Sequence, residues 1–419
     1  MLREEQTEVL VVGAGPVGML TALLLAKGGV SIRIIDQEWR TASRNYACAL
    51  HPSTLKLLDR LGLGRDILAA GHQVGTVALY EGAARRAEAK LSRLAGDFPF
   101  VLVLSQSSFE SLLEERLKLE ASVSVEWNHK LSGLRPDAQG MVATVDQLGV
   151  SAKGYIVPEM EWSVEKTHQL RAGYVVGADG PKSFVAESLA AGSDIAGESE
   201  FFAVYEFASD WEAGDESRVV LDQGTTSVLW PLPGNRFRWS FQLRQEHLSE
   251  FPAKDRQSLR INEPGSEAAD RGFVQKLIKE RAPWFTGGIG ELDWSTDVEF
   301  EHRVAKRFGR GYCWLAGDAA HQTGPAGMQS LNRGILEADQ LTSALIGILR
   351  EKASTAVLEN YNKTCGDAWR QLLGLGQPLK SGPSTDAWIR ERSTRIPACI
   401  PASGDDLKQL LNQLQLDWA

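Results

Sequence analysis

Cysteine is scarce. The four residues, Cys48, Cys313, Cys365 and Cys399, lie far apart in a chain of 419 and form no CxxC pair or metal-ligand spacing. That excludes a disulfide scaffold and a zinc site, and matches reduced thiols in a cytoplasmic protein. Basic excess is also missing: 45 Lys and Arg face 54 Asp and Glu, a formal charge of -9, with a pI near 5.5. The average field therefore repels nucleic acid and anionic membrane surfaces. The apolar run near the N-terminus is interrupted by Gly13, Gly15, Pro16 and Gly18, so it reads as neither a signal peptide nor a membrane span. No repeat or low-complexity tract stands out. What remains is a soluble globular chain, 43% hydrophobic and 24% charged, long enough for two cores and suited to small-molecule partners.

Short apolar runs alternate with helical patterns, which predicts α/β layers. Val9 to Val12 reads as a buried strand, Pro16 to Lys27 as a helix with proline in its first turn, and Ile32 to Ile35 as a second parallel strand ending at Asp36. Helices are expected from Pro52 to Leu63 and after Gln106. Residues 73 to 104 and 199 to 245 alternate as strands do, and together predict one antiparallel sheet built from two excursions. The polar segment 245 to 272 reads as a loop. Leu331, Ile335, Ala338, Leu341, Leu345 and Ile348 recur at steps of three and four, marking an amphipathic helix from Leu331 to Leu349.

Three turns carry the chemistry. Gly13-Ala14-Gly15-Pro16-Val17-Gly18 matches G-x-G-x-x-G between a predicted strand and a predicted helix, the context a dinucleotide fingerprint requires. Gly13 permits the tight turn, Gly15 admits a pyrophosphate to the helix N-terminus, and Gly18 allows close packing. Asp36 follows where a carboxylate accepts from an adenosine ribose. A second turn, Gly177-Ala178-Asp179-Gly180, follows Tyr174 to Val176. A third, Gly317-Asp318-Ala319-Ala320-His321, follows Tyr312 to Ala316. An aspartate there suits the ribityl hydroxyls of a flavin, and the next helix N-terminus suits the flavin pyrimidine edge. The fingerprint alone leaves FAD and NAD open. His321, a lone histidine, reads as a packed residue without a catalytic role.

Taken in order, these turns resemble the para-hydroxybenzoate hydroxylase family of single-component FAD-dependent monooxygenases. Arg44 with Leu50-His51-Pro52-Ser53-Thr54-Leu55, and Gln106 before Phe109-Glu110-Ser111-Leu112-Leu113, resemble two further segments of that family. The resemblance implies a Rossmann-like FAD-binding domain of the glutathione-reductase type with an interleaved antiparallel β-sheet substrate domain. The FAD-binding parts would be 1–72, 98–190 and 285–375, the substrate sheet 73–97 and 191–284, and 376–419 a tail packed on the FAD domain. It further implies that Gly13, Gly15, Pro16, Val17, Gly18, Asp36, Arg44, Gln106, Asp179, Gly317, Asp318, Gly327, Met328, Leu331 and Asn332 bind FAD. NADPH or NADH would serve as transient electron donor. O2 would then form a flavin C4a-(hydro)peroxide near Pro325 and Gly327, hydroxylating an aromatic or polyketide-like small molecule.

Rival outcomes on the same fold are Baeyer–Villiger oxygenation, a flavin dehydrogenase or reductase, and a catalytically silent flavin-binding module. Two departures from the family pattern bear on these: Gly327-Met328-Gln329-Ser330 stands where the family has Gly-Gly-Gln-Gly, and Ala186 stands where the DG turn's run reaches an arginine. Substrate contacts are expected on the sheet, with Tyr205, Trp230, Trp239 and Gln242 as candidates. No metal and no oligomeric state is indicated.

Overall fold

The chain is described here from a computed structural model, which covers residues 5–40, 49–120, 123, 125–153, 159–212, 214–244 and 267–418. Strand Glu5–Val12 lies at the centre of an eight-stranded sheet. It pairs in parallel with Ile32–Ile35 on one side and with Glu159–Gly177 on the other, where Val11 sits opposite Ile34 and Val176. Val9, Leu10 and Val11 are wholly buried. A strand covered on both faces has no polar side to show, which is why the sequence there is a continuous apolar run rather than an alternation. Each such side chain contributes about 1.5–3 kcal/mol on burial. Helix Pro16–Lys27 is buried nearly all round through Met19, Leu20, Ala22, Leu23 and Leu25, so it too lacks a polar stripe.

Strand Cys313–Leu315 adds in parallel to the far side of Glu159–Gly177. This register does the geometric work. Three adjacent parallel strands end on the same edge of the sheet, so the turns that follow Val12, Gly177 and Leu315 emerge side by side. Ligands of open α/β sheets bind at such an edge.

A second sheet of seven strands has the order Leu292–Phe300, Glu200–Ala208, Arg236–Gln242, Thr225–Leu232, Glu216–Asp222, Thr76–Glu81 and Ala84–Lys90. It joins the two excursions seen in the sequence. One junction is parallel, between Glu216–Asp222 and Thr76–Glu81, because the chain reaches that strand from a distant segment rather than through a hairpin. Strand Leu292–Phe300 also belongs to this sheet, so the chain leaves it later than residue 284. Of the predicted loop 245–272, residues 245–266 lie outside the described part. Glu267 begins a helix that runs to Arg281.

The two faces of this sheet pack differently. Ala203, Tyr205, Phe207, Phe237, Trp239 and Phe241 share a face, and with Val274, Leu277, Ile278 and Phe285 they form a separate core beneath helix Glu267–Arg281. Val219, Leu221, Val228 and Trp230 lie on the opposite face and join the main core, which they share with the eight-stranded sheet. The C-terminal segment crosses back over the structure: Arg395 Nη2 donates to Thr226 Oγ1 at 2.7 Å, and Gln329 Nε2 donates to the carbonyls of Ile400 and Ala402.

Candidate functional site

The three turns touch. Gly13 has φ +100°, and a methyl group there would overlap the Ala178 carbonyl of the second turn. Ala178 N donates to Val12 O at 2.8 Å, and Gly13 N to Ile35 O at 2.8 Å. A methyl on Gly18 would overlap the Gly13 carbonyl. The third turn meets the fingerprint helix through Gly317, where φ is +66° and an added Cβ would lie 3.0 Å from Val17 Cγ2. Gly334 of helix Gln329–Glu351 closes the same contact, with Gly317 Cα at 2.9 Å from its would-be Cβ. These glycines bring backbone against backbone where side chains would hold it apart.

Around them lie groups that protein partners leave open. Gly15 precedes helix Pro16–Lys27, which has no side-chain N-cap, and a Cβ on Gly15 would meet nothing within 4 Å. Bare N–H groups facing free space form an anion site. Asp36 Oδ2 accepts from Ala14 N at 2.6 Å and Oδ1 from Glu38 N at 2.8 Å, which fixes the carboxylate at the strand end with lone pairs remaining. The half-buried Asp318 carboxylate has no hydrogen-bond partner among the described residues, and burial raises its pKa. Helix Gln329–Glu351 also begins without a side-chain cap, at Met328 with φ +52°. A long dinucleotide fits this set of groups: a pyrophosphate at the first helix end, a ribose at Asp36, a hydroxylated chain at Asp318, and at the second helix end a ring edge that offers acceptor atoms and gains negative charge on reduction.

Other candidate residues hold the frame. Asp179 is pushed up by burial against the hydrogen bonds of Ser183 Oγ at 2.5 Å and Val185 N at 3.1 Å, so it anchors the short helix after its turn. Asn332 Nδ2 donates to the carbonyls of Ala49 and Met328, and its Oδ1 accepts from His51 N at 2.7 Å. Both amide protons are thus committed to protein. Gly327 approaches the tail: a methyl there would overlap the Ala398 carbonyl. His51 Nε2 lies 2.8 Å from Gly327 O and its Nδ1 2.9 Å from Ser403 Oγ. Burial drives its pKa to about 3, so it acts as a neutral strut. Pro325 is buried and Leu331 half-buried at the same loop and helix start. Arg44 lies outside the described residues.

Two residues unmarked by the sequence complete the arrangement. Arg303 Nη2 donates at 2.9 Å to both Pro181 O and Asp318 O, tying the second turn to the third. Glu337 accepts from Gly317 N at 3.0 Å and Trp369 Nε1 at 2.7 Å, and lies 2.7 Å from His321 Nε2. Burial opposes its ionisation, but His321 and these bonds outweigh it and lower its pKa. His321 stacks on Trp369 at 3.8 Å, a packed histidine as expected. The signal for Glu337 was present: a carboxylate on the apolar stripe beside Ile335 and Ala338.

Comparison with known proteins agrees with this geometry. The profile of a family described as FAD binding domain matches residues 6–374. The chain is 28% identical over 420 residues to para-nitrophenol 4-monooxygenase of Pseudomonas sp. strain WBC-3, covering 98% of this chain and 94% of that relative. It is 28% identical over 407 residues to 6-methylpretetramide 4-monooxygenase of Streptomyces rimosus, covering 96% of this chain but only 65% of the relative. The crystal structure of p-nitrophenol 4-monooxygenase from Pseudomonas putida DLL-E4 superposes with a TM-score of 0.73 at 25% identity, covering 98% and 97% of the two chains.

The chain belongs to the FAD-dependent aromatic monooxygenases.

In this monooxygenase the substrate candidates divide by strand parity. Tyr205 and Trp239 sit opposite each other in register and face the separate core, where Trp239 stacks on Phe241 at 4.9 Å. They are packing residues, a correction to the sequence reading, which had no means of choosing the face. Trp230 lies on the opposite face but is wholly buried in the main core. Gln242 shares that side, and its Oε1 accepts from Thr226 N at 2.8 Å. The buried Arg238–Glu206 ion pair lies there too, with Trp294 5.6 Å from the guanidinium. Among the described residues of the monooxygenase there is no metal-binding cluster and no helix long and apolar enough to cross a membrane.

Gln106, at the start of helix Gln106–Lys118, donates from Nε2 to Glu110 Oε1 at 2.7 Å. The other oxygen of Glu110 is buried without a partner. Burial, with a smaller contribution from the Asp36 charge, raises the Glu110 pKa to about 7. The unfolded chain releases this proton near the ordinary 4.5, so folding becomes less favourable as pH rises from about 4.5 to about 7. Glu110→Gln is expected to remove that slope, raising the melting temperature above pH 7 and leaving it unchanged below pH 4.5. Equal melting-temperature shifts at both pH values would show that Glu110 does not titrate in this way.

Proposed function

We propose that this protein hydroxylates the ring of a phenolic small molecule, using NADPH or NADH and O2. The observation that carries the reading is the contact of three strand-end turns around two bare helix N-termini and the unpartnered Asp318 carboxylate. Gly15 and the N–H groups after it would hold the FAD pyrophosphate, Asp36 the ribose, Asp318 the ribityl chain, and the backbone at Met328 and Gln329 the pyrimidine edge. Gln106 and Asp179 would contribute to holding the same cofactor, and Arg44 would oppose the pyrophosphate charge. Bound FAD supplies hydride acceptance from the nicotinamide and activation of O2 for transfer of one oxygen atom.

The chain's own part is to place the ring and exclude water. Pro325 and Gly327 would border the reacting edge of the flavin, while the flavin-side face of the seven-stranded sheet, at Gln242, would close the far wall. The division into a flavin-binding unit and a sheet-bearing substrate unit belongs to this proposal. The nitrophenol relative is matched over nearly its whole length, which favours a compact phenol. Turnover of 4-nitrophenol and other phenols under 18O2 tests the reading: one labelled oxygen per hydroxylated ring is expected. NAD(P)H oxidation that yields only reduced oxygen species with every phenol tried would refute it.

A further inference from the structure

Ser330 stands where the family pattern has glycine, in the first turn of helix Gln329–Glu351. Every other polar side chain of that turn is committed to protein. Gln329 Nε2 donates to the carbonyls of Ile400 and Ala402, and Asn332 Nδ2 to those of Ala49 and Met328. Arg333, one residue beyond the turn, donates from Nε to Gln329 Oε1 at 3.2 Å and lies over the Trp369 ring. Ser330 Oγ accepts from Thr323 N at 3.2 Å. That bond fixes the oxygen and leaves its own proton without an acceptor among the described residues.

The free proton lies where a closed helix face opens. Ser330 and Gly334 are four residues apart and share a face, with Ser330 nearer the N-terminus. Gly334 presses on the other two turns: its would-be Cβ lies 2.9 Å from Gly317 Cα and from Val17 Cγ2. Gly334, Glu337 and Ala338 are buried along this face, whereas Ser330 is only half-buried. Asp318, Val17 and Gly15 are likewise half-buried, each between buried neighbours. These four residues follow the contacts of the turns from one uncapped helix end to the other. They mark the floor of the cleft between those ends, and Ser330 Oγ stands at its far end beside the N–H groups of the long helix.

We propose that the Ser330 hydroxyl donates a hydrogen bond to the pyrimidine edge of bound FAD and raises its reduction potential, an inference that rests on the placement of that edge at this helix end. Reduction by NADPH or NADH moves two electrons and one proton to the flavin and leaves the oxidised nicotinamide. The pyrimidine edge gains negative charge in that step, and a donor held beside it bonds the charged form more strongly than the neutral one. Backbone N–H groups at the helix end supply part of this effect without any side chain. Ser330 adds a donor that glycine lacks, and Thr323 N keeps its oxygen in place.

The potential of bound FAD, measured without oxygen at one pH against a dye of known potential, tests this in wild type, Ser330→Gly, Ser330→Ala and Ser330→Thr. At a fixed ambient potential the ratio of reduced to oxidised FAD is expected to fall about 10-fold in the glycine and alanine variants, a shift of about 30 mV to lower potential for two electrons. Ser330→Thr, which keeps the hydroxyl, should retain the wild-type potential. By linkage, the glycine and alanine variants should lose about 10-fold more affinity for reduced than for oxidised FAD. Wild-type potentials in Ser330→Gly and Ser330→Ala, with oxidised FAD still bound, would overturn the donor while leaving the FAD site intact. So would a lower melting temperature of FAD-free Ser330→Ala with no change in potential, the result of a serine that only holds Thr323. A wild type that binds no FAD would instead remove the site, and the role of Ser330 with it.

Discussion

Gly15→Ala is expected to fold as wild type does and yet fail to hold FAD, whereas Gly13→Ala should damage both. The difference follows from where each methyl group would point. At Gly15 the backbone is extended, with φ -71°, and the methyl enters the open space where a pyrophosphate would lie. It costs the folded chain nothing and excludes the ligand. FAD affinity measured by fluorescence titration should fall by more than about 100-fold, near 3 kcal/mol, with an unchanged thermal transition of the FAD-free protein. At Gly13 the positive φ alone costs about 1–3 kcal/mol for a side chain, and overlap with the Ala178 carbonyl adds to it. There the FAD-free protein should itself melt lower. A Gly15→Ala protein that retains FAD with wild-type affinity would place the pyrophosphate elsewhere.

Glu337→Ala is expected to be the most destabilising single change behind the site. Its carboxylate satisfies Gly317 N, Trp369 Nε1 and His321 at once in a buried setting. Removing it leaves three buried polar groups without their partner, a loss of about 3–5 kcal/mol by analogy with broken buried ion pairs. The first place to loosen should be the third turn, since Gly317 N loses its acceptor. Thermal melts of the FAD-free protein measure the stability, and FAD titration measures the turn. Glu337→Gln, which keeps acceptor capacity but loses the charge facing His321, should fall between alanine and wild type. An alanine variant as stable as wild type would show that the cluster does not hold the turn.

The half of the candidate site formed by the three turns was legible because it is local. A fingerprint, two acidic turns and the strands before them are each encoded within about ten residues, and parallel pairing brings their ends together without further instruction. The substrate half was not, because it depends on which face of an antiparallel sheet meets the flavin side. Tyr205 and Trp239 have the same composition signal as Trp230, and one residue of register separates core from cleft wall. Arg303 was equally hidden, since its partners at Pro181 and Asp318 are set by tertiary contact. The departure at Met328 was visible in sequence. The structure shows what it entails: a buried side chain held in the left-handed region at the start of the long helix.

Titration of the FAD-free protein with FAD, followed by flavin fluorescence and calorimetry, shows whether the three turns hold one dinucleotide. Saturation at one FAD per chain is expected, with AMP competing for one end of the cleft and riboflavin for the other. Saturable binding of AMP with no competition by riboflavin, or no binding of FAD at all, would contradict it.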